Sequence, residues 1–175
     1  MVKKSYAKKV ALVGIMAATV ECGKLALSAL PNIEVVTLLL ALYSYVFGWM
    51  GIAAALVFVC IEPLIYGFGS WTLSYLVYWP LLSFVFLILG RLKIKNRFVL
   101  CAIALVMTLF FGVLTSLVDV GLFSGSFDNF FYRFGIYYLR GLPFYFLQLG
   151  CNLALFLSLF SFLSKKLTQL KRQML

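Results

Sequence analysis

The sequence predicts an all-α membrane protein, with six transmembrane helices in a single integral membrane domain that covers residues 1–175. Composition is the first reason. The chain is 65% hydrophobic and only 11% charged, whereas a soluble domain carries about 25% charged residues. Length is the second reason. Six spans of about 20 residues each would use roughly 120 residues, which leaves short loops and no room for a separate soluble domain.

Hydropathy divides the chain into apolar runs, whose positions predict the spans. The runs cover residues 10–29, 35–47, 52–68, 72–90, 98–123 and 138–163. The second run is short for a full span, so it either tilts out of the core or pairs with the third run through the turn at residues 48–51. The largest predicted loop is 124–137, whose Ser-Gly-Ser-Phe-Asp-Asn opening is typical of a turn followed by a helix cap.

The placement of lysine and arginine tests this span count, because these residues concentrate in short cytoplasmic loops. Six spans with the amino terminus inside require three cytoplasmic segments, and 12 of the 15 basic residues form three groups of four. The groups are Lys3, Lys4, Lys8 and Lys9; Arg91, Lys93, Lys95 and Arg97; and Lys165, Lys166, Lys171 and Arg172. We therefore expect both termini to be cytoplasmic. Orientation and anionic lipid headgroups explain the net charge of +10 better than nucleic acid does.

A cleaved signal peptide that ends near residues 27–29 is an alternative interpretation of the first run. Glu21 and Lys24 interrupt its apolar stretch, and its removal would leave five spans. We expect the run to be retained.

Several chemistries are excluded by residue type. The chain has no histidine, which removes His-based acid–base catalysis, Ser-His-Asp triads and histidine metal sites. Its four cysteines (Cys22, Cys60, Cys101 and Cys151) lie far apart without a CxxC pair, so no metal or redox site is predicted. The one Gly-Lys pair, Gly23-Lys24, is not part of a phosphate-binding loop. We predict no cofactor, and any energy from ATP must come from a partner.

Ionisable residues inside spans are costly and mark functional sites by default. Glu21 and Lys24 share one helical face, and Glu62 and Asp119 lie near the outer ends of spans three and five. One interpretation is a set of structural ion pairs such as Glu21–Lys24. For the whole set, a shared outward-facing polar cavity is favoured.

Two further patterns point to the same outer side. Aromatic residues at i, i+4, i+7 and i+8 stripe one face of span four, either as an interfacial belt or as the wall of a ligand pocket: Trp71, Tyr75, Tyr78 and Trp79. Arg133, Tyr137 and Arg140 share a face at the start of span six. Their guanidinium groups suit phosphate, carboxylate or amide oxygens, or they pair with Asp119 or Asp128.

Small residues mark the other half of span one. They recur at i, i+4, i+7 and i+11, which allows another helix to approach closely: Ala7, Ala11, Gly14 and Ala18. This face packs either against a neighbouring span or against a partner protein.

Three stretches carry a family resemblance: Leu30-Pro31-Asn32-Ile33-Glu34-Val35-Val36-Thr37, Tyr66-Gly67-Phe68-Gly69-Ser70-Trp71-Thr72 and Tyr78-Trp79-Pro80. In a small six-span chain they resemble the substrate-binding S component of an energy-coupling factor (ECF) transporter, most closely the cobalamin-binding type. The resemblance implies a multi-pass protein of the bacterial plasma membrane that binds a vitamin at an outward-facing site and performs no catalysis itself. It also implies a transmembrane T component docked on Ala7, Ala11, Gly14 and Ala18, two ATPase subunits, and delivery by toppling of the S component in the bilayer.

The pocket that we predict on this basis consists of Asn32, Glu34, Tyr66, Trp71, Tyr75, Trp79, Arg133, Tyr137 and Arg140. Two alternatives stay open. One is an S component for a smaller vitamin, such as pantothenate, pyridoxine or a queuosine precursor, with a narrower pocket. The other is a different class of protein, either an intramembrane enzyme that uses Glu21, Glu62 or Asp119 as acid and base or a passive scaffold.

Overall fold

The computed structural model describes residues 2–123 and 128–174, with side chains from residue 6 onward. Over these ranges every regular element is helical, which confirms the all-α class. The helices are α1 (Val2–Ala26), α2 (Val36–Phe47), α3 (Trp49–Tyr66), α4 (Ser70–Arg91), α5 (Arg97–Val118), α6 (Phe130–Leu155) and α7 (Ser161–Met174). A π-helical turn, Asp119–Phe123, extends α5, and a second one, Phe156–Phe160, joins α6 to α7.

Length and composition allow four of the described helical segments to cross a membrane: Trp49–Tyr66, Ser70–Arg91, Arg97–Phe123 and Phe130–Met174. Helix α2 is apolar but shorter. Helix α1 is not among the four, and it carries Glu21 and Lys24 inside its apolar stretch. The chain thus has the helices of a membrane protein, while the crossing of α1 and α2 stays a prediction.

Predicted spans two to five match helices to within a few residues, whereas α1 begins eight residues before the predicted start of span one, and the start of the sixth is wrong. Helix α6 begins at Phe130 rather than at residue 138, so most of the predicted loop is helix. Its first two turns are aromatic and contain Arg133, which lowered their hydropathy without breaking the helix. The opening of that loop, residues 124–127, lies outside the described residues.

Helix α2 lies at the centre of the bundle. All of its residues except Leu39 and Tyr45 are buried, and it packs against α1, α3, α4, α6 and α7. Two glycines allow this packing, because a Cβ at Gly51 would overlap the backbone of Ser44 and a Cβ at Gly90 would overlap the carbonyl of Tyr45. Twelve residues rise only about 18 Å, less than the roughly 30 Å of a hydrocarbon core.

The three basic groups meet at one end of the bundle, which we call the basic end. Lys95, Lys165 and Arg172 line a single cleft there, and Lys8 lines a second cleft beside Gln173. The start of α1 and the end of α7 are therefore at the same end, as the predicted topology requires. Which side of a membrane this end occupies stays a prediction.

Candidate functional site

A cavity of about 280 Å³ opens at the start of α2, and we call this side of the bundle the cavity end. Val36, at the first position of α2, lines the cavity, whereas Tyr45, nine residues later, lines the cleft at the basic end. The two sites are thus separated along α2. The cavity is lined by Lys24, Leu27, Ser28, Leu30, Pro31, Asn32, Ile33, Glu34, Val36, Tyr66, Tyr75, Trp79, Phe111 and Gln148.

The Pro31-Asn32-Ile33-Glu34 segment forms one wall, and Glu34 holds it in place. Asn32 adopts a left-handed backbone conformation (φ 58°), which asparagine tolerates better than most residues. The carboxylate of Glu34 accepts a hydrogen bond from the backbone N–H of Thr37 at 2.8 Å and another from the Thr37 hydroxyl. A carboxylate at this place satisfies a free N–H of the first turn of α2 and interacts favourably with the helix dipole.

A buried polar network ties this wall to the far side of the bundle. The side-chain amide of Asn152 donates to Glu34 Oε1 at 3.3 Å and to the Thr108 hydroxyl at 3.0 Å. The Cys151 thiol donates to the backbone carbonyl of Glu34 at 3.5 Å. Because Thr37 of α2 and Asn152 of α6 both donate to the Glu34 carboxylate, it positions the loop and has little capacity left for a ligand.

Aromatic rings form the opposite wall, but the stripe on α4 divides between wall and core. Tyr75 and Trp79 line the cavity, and their rings meet edge to face at 5.5 Å. Trp71 packs on the outer side of Tyr75 at 5.2 Å. Tyr78 is fully buried and faces Phe111 at 4.7 Å. The indole N–H of Trp79 has no hydrogen-bond partner among the described residues, although its side chain is 97% buried.

A charged cluster closes the side of the cavity formed by α1 and α3. Lys24 makes an ion pair with Glu62, whose side chain is fully buried. The Lys24 ammonium also lies 4.3 Å from the ring centroid of Tyr66 and 5.5 Å from that of Tyr75, within the range of cation–π attraction. The Glu21 carboxyl lies close enough to Glu62 to interact with it electrostatically.

This cluster differs from the predicted Glu21–Lys24 pair. The ion pair of Lys24 reaches across to α3, because Glu62 is buried and a buried carboxylate requires a close counter-charge. Spacing along α1 alone favoured the local partner. The cluster does bring Glu21, Lys24 and Glu62 together, as a shared polar site requires, whereas Asp119 is not among the described residues that line the cavity.

The structure brings together most of the predicted binding residues. Five of them line the cavity: Asn32, Glu34, Tyr66, Tyr75 and Trp79. Trp71 contacts the ring of Tyr75, which lines the cavity, but does not itself belong to the lining. Arg133, Tyr137 and Arg140 lie on the first turns of α6, and among the described residues they are not part of the lining. Their role in binding stays a prediction.

Among the lining residues that were not in the predicted pocket, Lys24, Phe111 and Gln148 come from separate helices. Lys24 was assigned to a shared polar cavity or an ion pair but not to the binding residues, and Phe111 has no feature that distinguishes it within an apolar run. Gln148 offered a signal, because an amide side chain inside an apolar span has to find a polar environment. Its side chain is 95% buried in the structure.

The predicted docking residues lie on an open face of α1. Ala7, Ala11, Gly14 and Ala18 are all exposed or half-buried. A Cβ at Gly14 would have no heavy atom outside its own helix within 4 Å. This face therefore does not pack against the described helices. Packing against a neighbouring span was one of the two alternatives that the sequence left open.

Comparisons of the chain with protein-family models, with curated proteins and with solved structures give no match.

Proposed function

We propose that this chain is the substrate-binding S subunit of an ECF-type vitamin importer in a bacterial plasma membrane. One observation carries the proposal: a cavity lies between the Pro31–Glu34 loop and an aromatic wall, at the end of the bundle away from the three basic groups. With the basic end in the cytoplasm, the cavity would face outward, where an importer meets its substrate.

The lining supports binding rather than catalysis. Tyr75, Trp79 and Phe111 offer ring surfaces that suit a flat, partly apolar molecule. The amides of Asn32 and Gln148 and the unpaired indole N–H of Trp79 provide a few directed hydrogen bonds, which is the usual composition of a small-molecule pocket. Lys24 contributes a cation that Glu62 already balances.

The size of the cavity favours the smaller ligand of the two alternatives. About 280 Å³ is at the lower limit of pockets for drug-sized molecules, which run from about 300 to 1,000 Å³. A corrin ring with its nucleotide loop is much larger than such a molecule. We therefore favour a flat heterocycle of the size of pyridoxine or a queuosine precursor over cobalamin, and over the flexible, non-aromatic pantothenate.

Delivery would depend on partners. The open face of Ala7, Ala11, Gly14 and Ala18 suits close contact with a transmembrane T component. Two ATPase subunits would supply the energy, because the sequence contains no phosphate-binding loop. We propose that the subunit topples in the bilayer to release its ligand inside.

The rival interpretation as an intramembrane enzyme is less well supported. Glu21 and Glu62 lie close together, but among the described residues neither lines the cavity. Glu62 is paired with Lys24. An acid–base pair must reach the proton that it transfers, which favours a structural role for these carboxylates.

Calorimetry of the purified protein tests the ligand. We expect saturable heat with pyridoxine or a deazaguanine precursor of queuosine, and none with cobalamin or pantothenate. Saturable binding of cobalamin would favour the larger ligand over the heterocycles. If none of the four compounds binds, the proposed pocket is contradicted.

Co-expression with a T component and two ATPases tests the class. We expect a complex that Gly14→Leu weakens by at least about tenfold, since a bulky side chain prevents close helix approach. Gly150→Leu is the matched control, because Gly150 is also a helical glycine at which an added Cβ would meet no heavy atom outside its own helix within 4 Å. If Gly14→Leu binds the partner subunits as strongly as the parent chain does, docking on α1 is contradicted. It is also contradicted if both variants weaken the complex to the same extent.

A further inference from the structure

A second cleft lies at the basic end and has no part in the proposed substrate site. Its volume is about 410 Å³, and it is bounded by the end of α2, the turn between α4 and α5, and one face of α7. Tyr45 and Phe160 form its apolar floor. The Tyr45 hydroxyl donates to the carbonyl of Ile94 at 2.9 Å, which holds in place the turn that carries Lys95.

Three cations line this cleft, and no acidic side chain of the described residues lies among its lining. Lys95, Lys165 and Arg172 come from two separate segments, and none of them makes an ion pair with any of the described residues. All five acids of the chain are in other segments: Glu21, Glu34, Glu62, Asp119 and Asp128. The cleft is therefore an uncompensated positive site, and like charges held together favour an anion between them.

Polar groups on α7 complete the lining. Ser161, Ser164 and Thr168 lie on one side of α7 beside Gln169. The hydroxyls of Ser164 and Thr168 donate to backbone carbonyls of the preceding turn, which leaves Ser161, Gln169 and the three cations as donors toward the cleft. A phosphate group, with several acceptor oxygens, matches such a set of donors.

The surroundings of the cleft indicate the source of that phosphate. The cleft lies where α5 begins, and α5 is one of the helices that can cross a membrane. Phe98 on α5 and Phe162 on α7 are close in sequence to residues that line the cleft, and they are 61% and 57% exposed. A cationic cleft beside exposed apolar rings suits a lipid, whose headgroup enters the cleft while its chains cover the rings.

We propose that this cleft binds the phosphate of an anionic phospholipid headgroup. The site is independent of substrate binding at the other end of the bundle. A bound lipid would also hold α7 against the end of α2, where the Lys171 ammonium already donates to the carbonyl of Val46 at 2.6 Å.

Native mass spectrometry of the full chain in neutral detergent, titrated with phosphatidylglycerol, tests the site. The variant carries Lys95→Gln, Lys165→Gln and Arg172→Gln. We expect each cation to contribute about fivefold to the affinity for the lipid, so that the triple variant loses affinity on the order of a hundredfold.

The matched control carries Lys9→Gln, Lys93→Gln and Lys166→Gln, which removes the same charge from the same end outside the cleft. We expect the control to stay within about threefold of the parent chain. Equal losses in both variants would overturn the proposal, because they would indicate diffuse surface attraction.

Two further arms separate the sources of phosphate and keep the charges intact. Ser161→Phe fills the cleft, and we expect it to abolish lipid binding as the triple substitution does. If this variant binds the lipid as well as the parent chain does, the lipid does not occupy the cleft and the proposal is overturned. Millimolar inorganic phosphate should leave the bound phosphatidylglycerol in place. If inorganic phosphate displaces the lipid, the cleft binds a soluble anion, and the proposal of a phospholipid headgroup is overturned.

Discussion

The two ends of the bundle handle charge in opposite ways. At the cavity end, buried and half-buried side chains are bonded across the bundle: Lys24 to Glu62, and Glu34 to Thr37 and Asn152. At the basic end, the cations are mostly exposed, and the described ones make no ion pairs. Buried charges need partners, whereas exposed ones are hydrated. Substitution of a charge should therefore affect folding at the cavity end and association with other molecules at the basic end.

The same contrast applies to packing. At the cavity end, the first turn of α2 is held through side chains, above all Glu34. At the basic end, the last turn of α2 meets α4 and α3 through Gly90 and Gly51, where backbones approach without side chains between them. The fold should thus tolerate the loss of charge at the basic end but not added volume at Gly51 or Gly90.

The largest expected effect is the loss of the buried ion pair. Glu62→Leu leaves the Lys24 ammonium beside an apolar side chain, and we expect the free energy of unfolding to fall by about 3 kcal/mol. Thermal unfolding in detergent measures it. Arg91→Gln is the control at the basic end, where an exposed cation lies over the Trp49 ring at 5.5 Å and is worth under about 1 kcal/mol.

A double substitution separates the pair from general damage to α3. Lys24→Leu combined with Glu62→Leu removes both charges, and we expect it to recover most of the stability that Glu62→Leu loses, because well-packed apolar residues can replace a buried pair. If the double variant is less stable than the single one, the two charges are not coupled, and the contrast between the ends fails.

The next effect concerns packing at the basic end. Gly90→Ala places a methyl group against the carbonyl of Tyr45, and since backbone cannot move aside cheaply, we expect a loss of about 2 kcal/mol. Gly14→Ala is the matched control, because the added methyl group meets open space. It should be neutral or stabilise the protein by about 0.5 kcal/mol, as alanine does for glycine in a helix. Equal melting temperatures of the two variants would contradict close backbone packing at Gly90.

The cavity end was also harder to predict from sequence than the basic end. Apolar runs located most of the helices, and groups of Lys and Arg predicted three segments that share one end, because both patterns are local along the chain. The Lys24–Glu62 pair joins positions 38 residues apart, and no spacing rule reaches that far. Phe111 lines the cavity only because α5 packs against α4. Asn32 and Tyr66 were predicted from the family resemblance and Tyr75 from the aromatic stripe on span four, which are also patterns within single segments.

A smaller effect concerns the hydrogen bond that Trp79 can offer. Trp79→Phe keeps an aromatic face and removes the unpaired indole N–H. We expect ligand affinity to fall about fivefold, equivalent to about 1 kcal/mol for one hydrogen bond, with little change in melting temperature. Calorimetry with whichever heterocycle binds the parent chain measures it. Trp49→Phe, at the exposed end of α3, should leave the affinity unchanged. Unchanged affinity in Trp79→Phe would mean that the ligand does not reach the floor of the cavity.

The smallest expected effect is that of an arginine on α6. Arg140 is exposed and is not among the described residues that line the cavity, so we expect no direct contact between its guanidinium group and a ligand in the cavity. We expect Arg140→Gln to change ligand affinity by no more than about twofold, measured by calorimetry at low and at physiological salt, with Asn32→Ala as the lining variant for comparison. A tenfold loss that disappears at physiological salt would show long-range attraction of an anionic ligand. A tenfold loss at both salt concentrations would place the arginine in contact with the ligand and extend the binding site from the α4 wall to the first turns of α6.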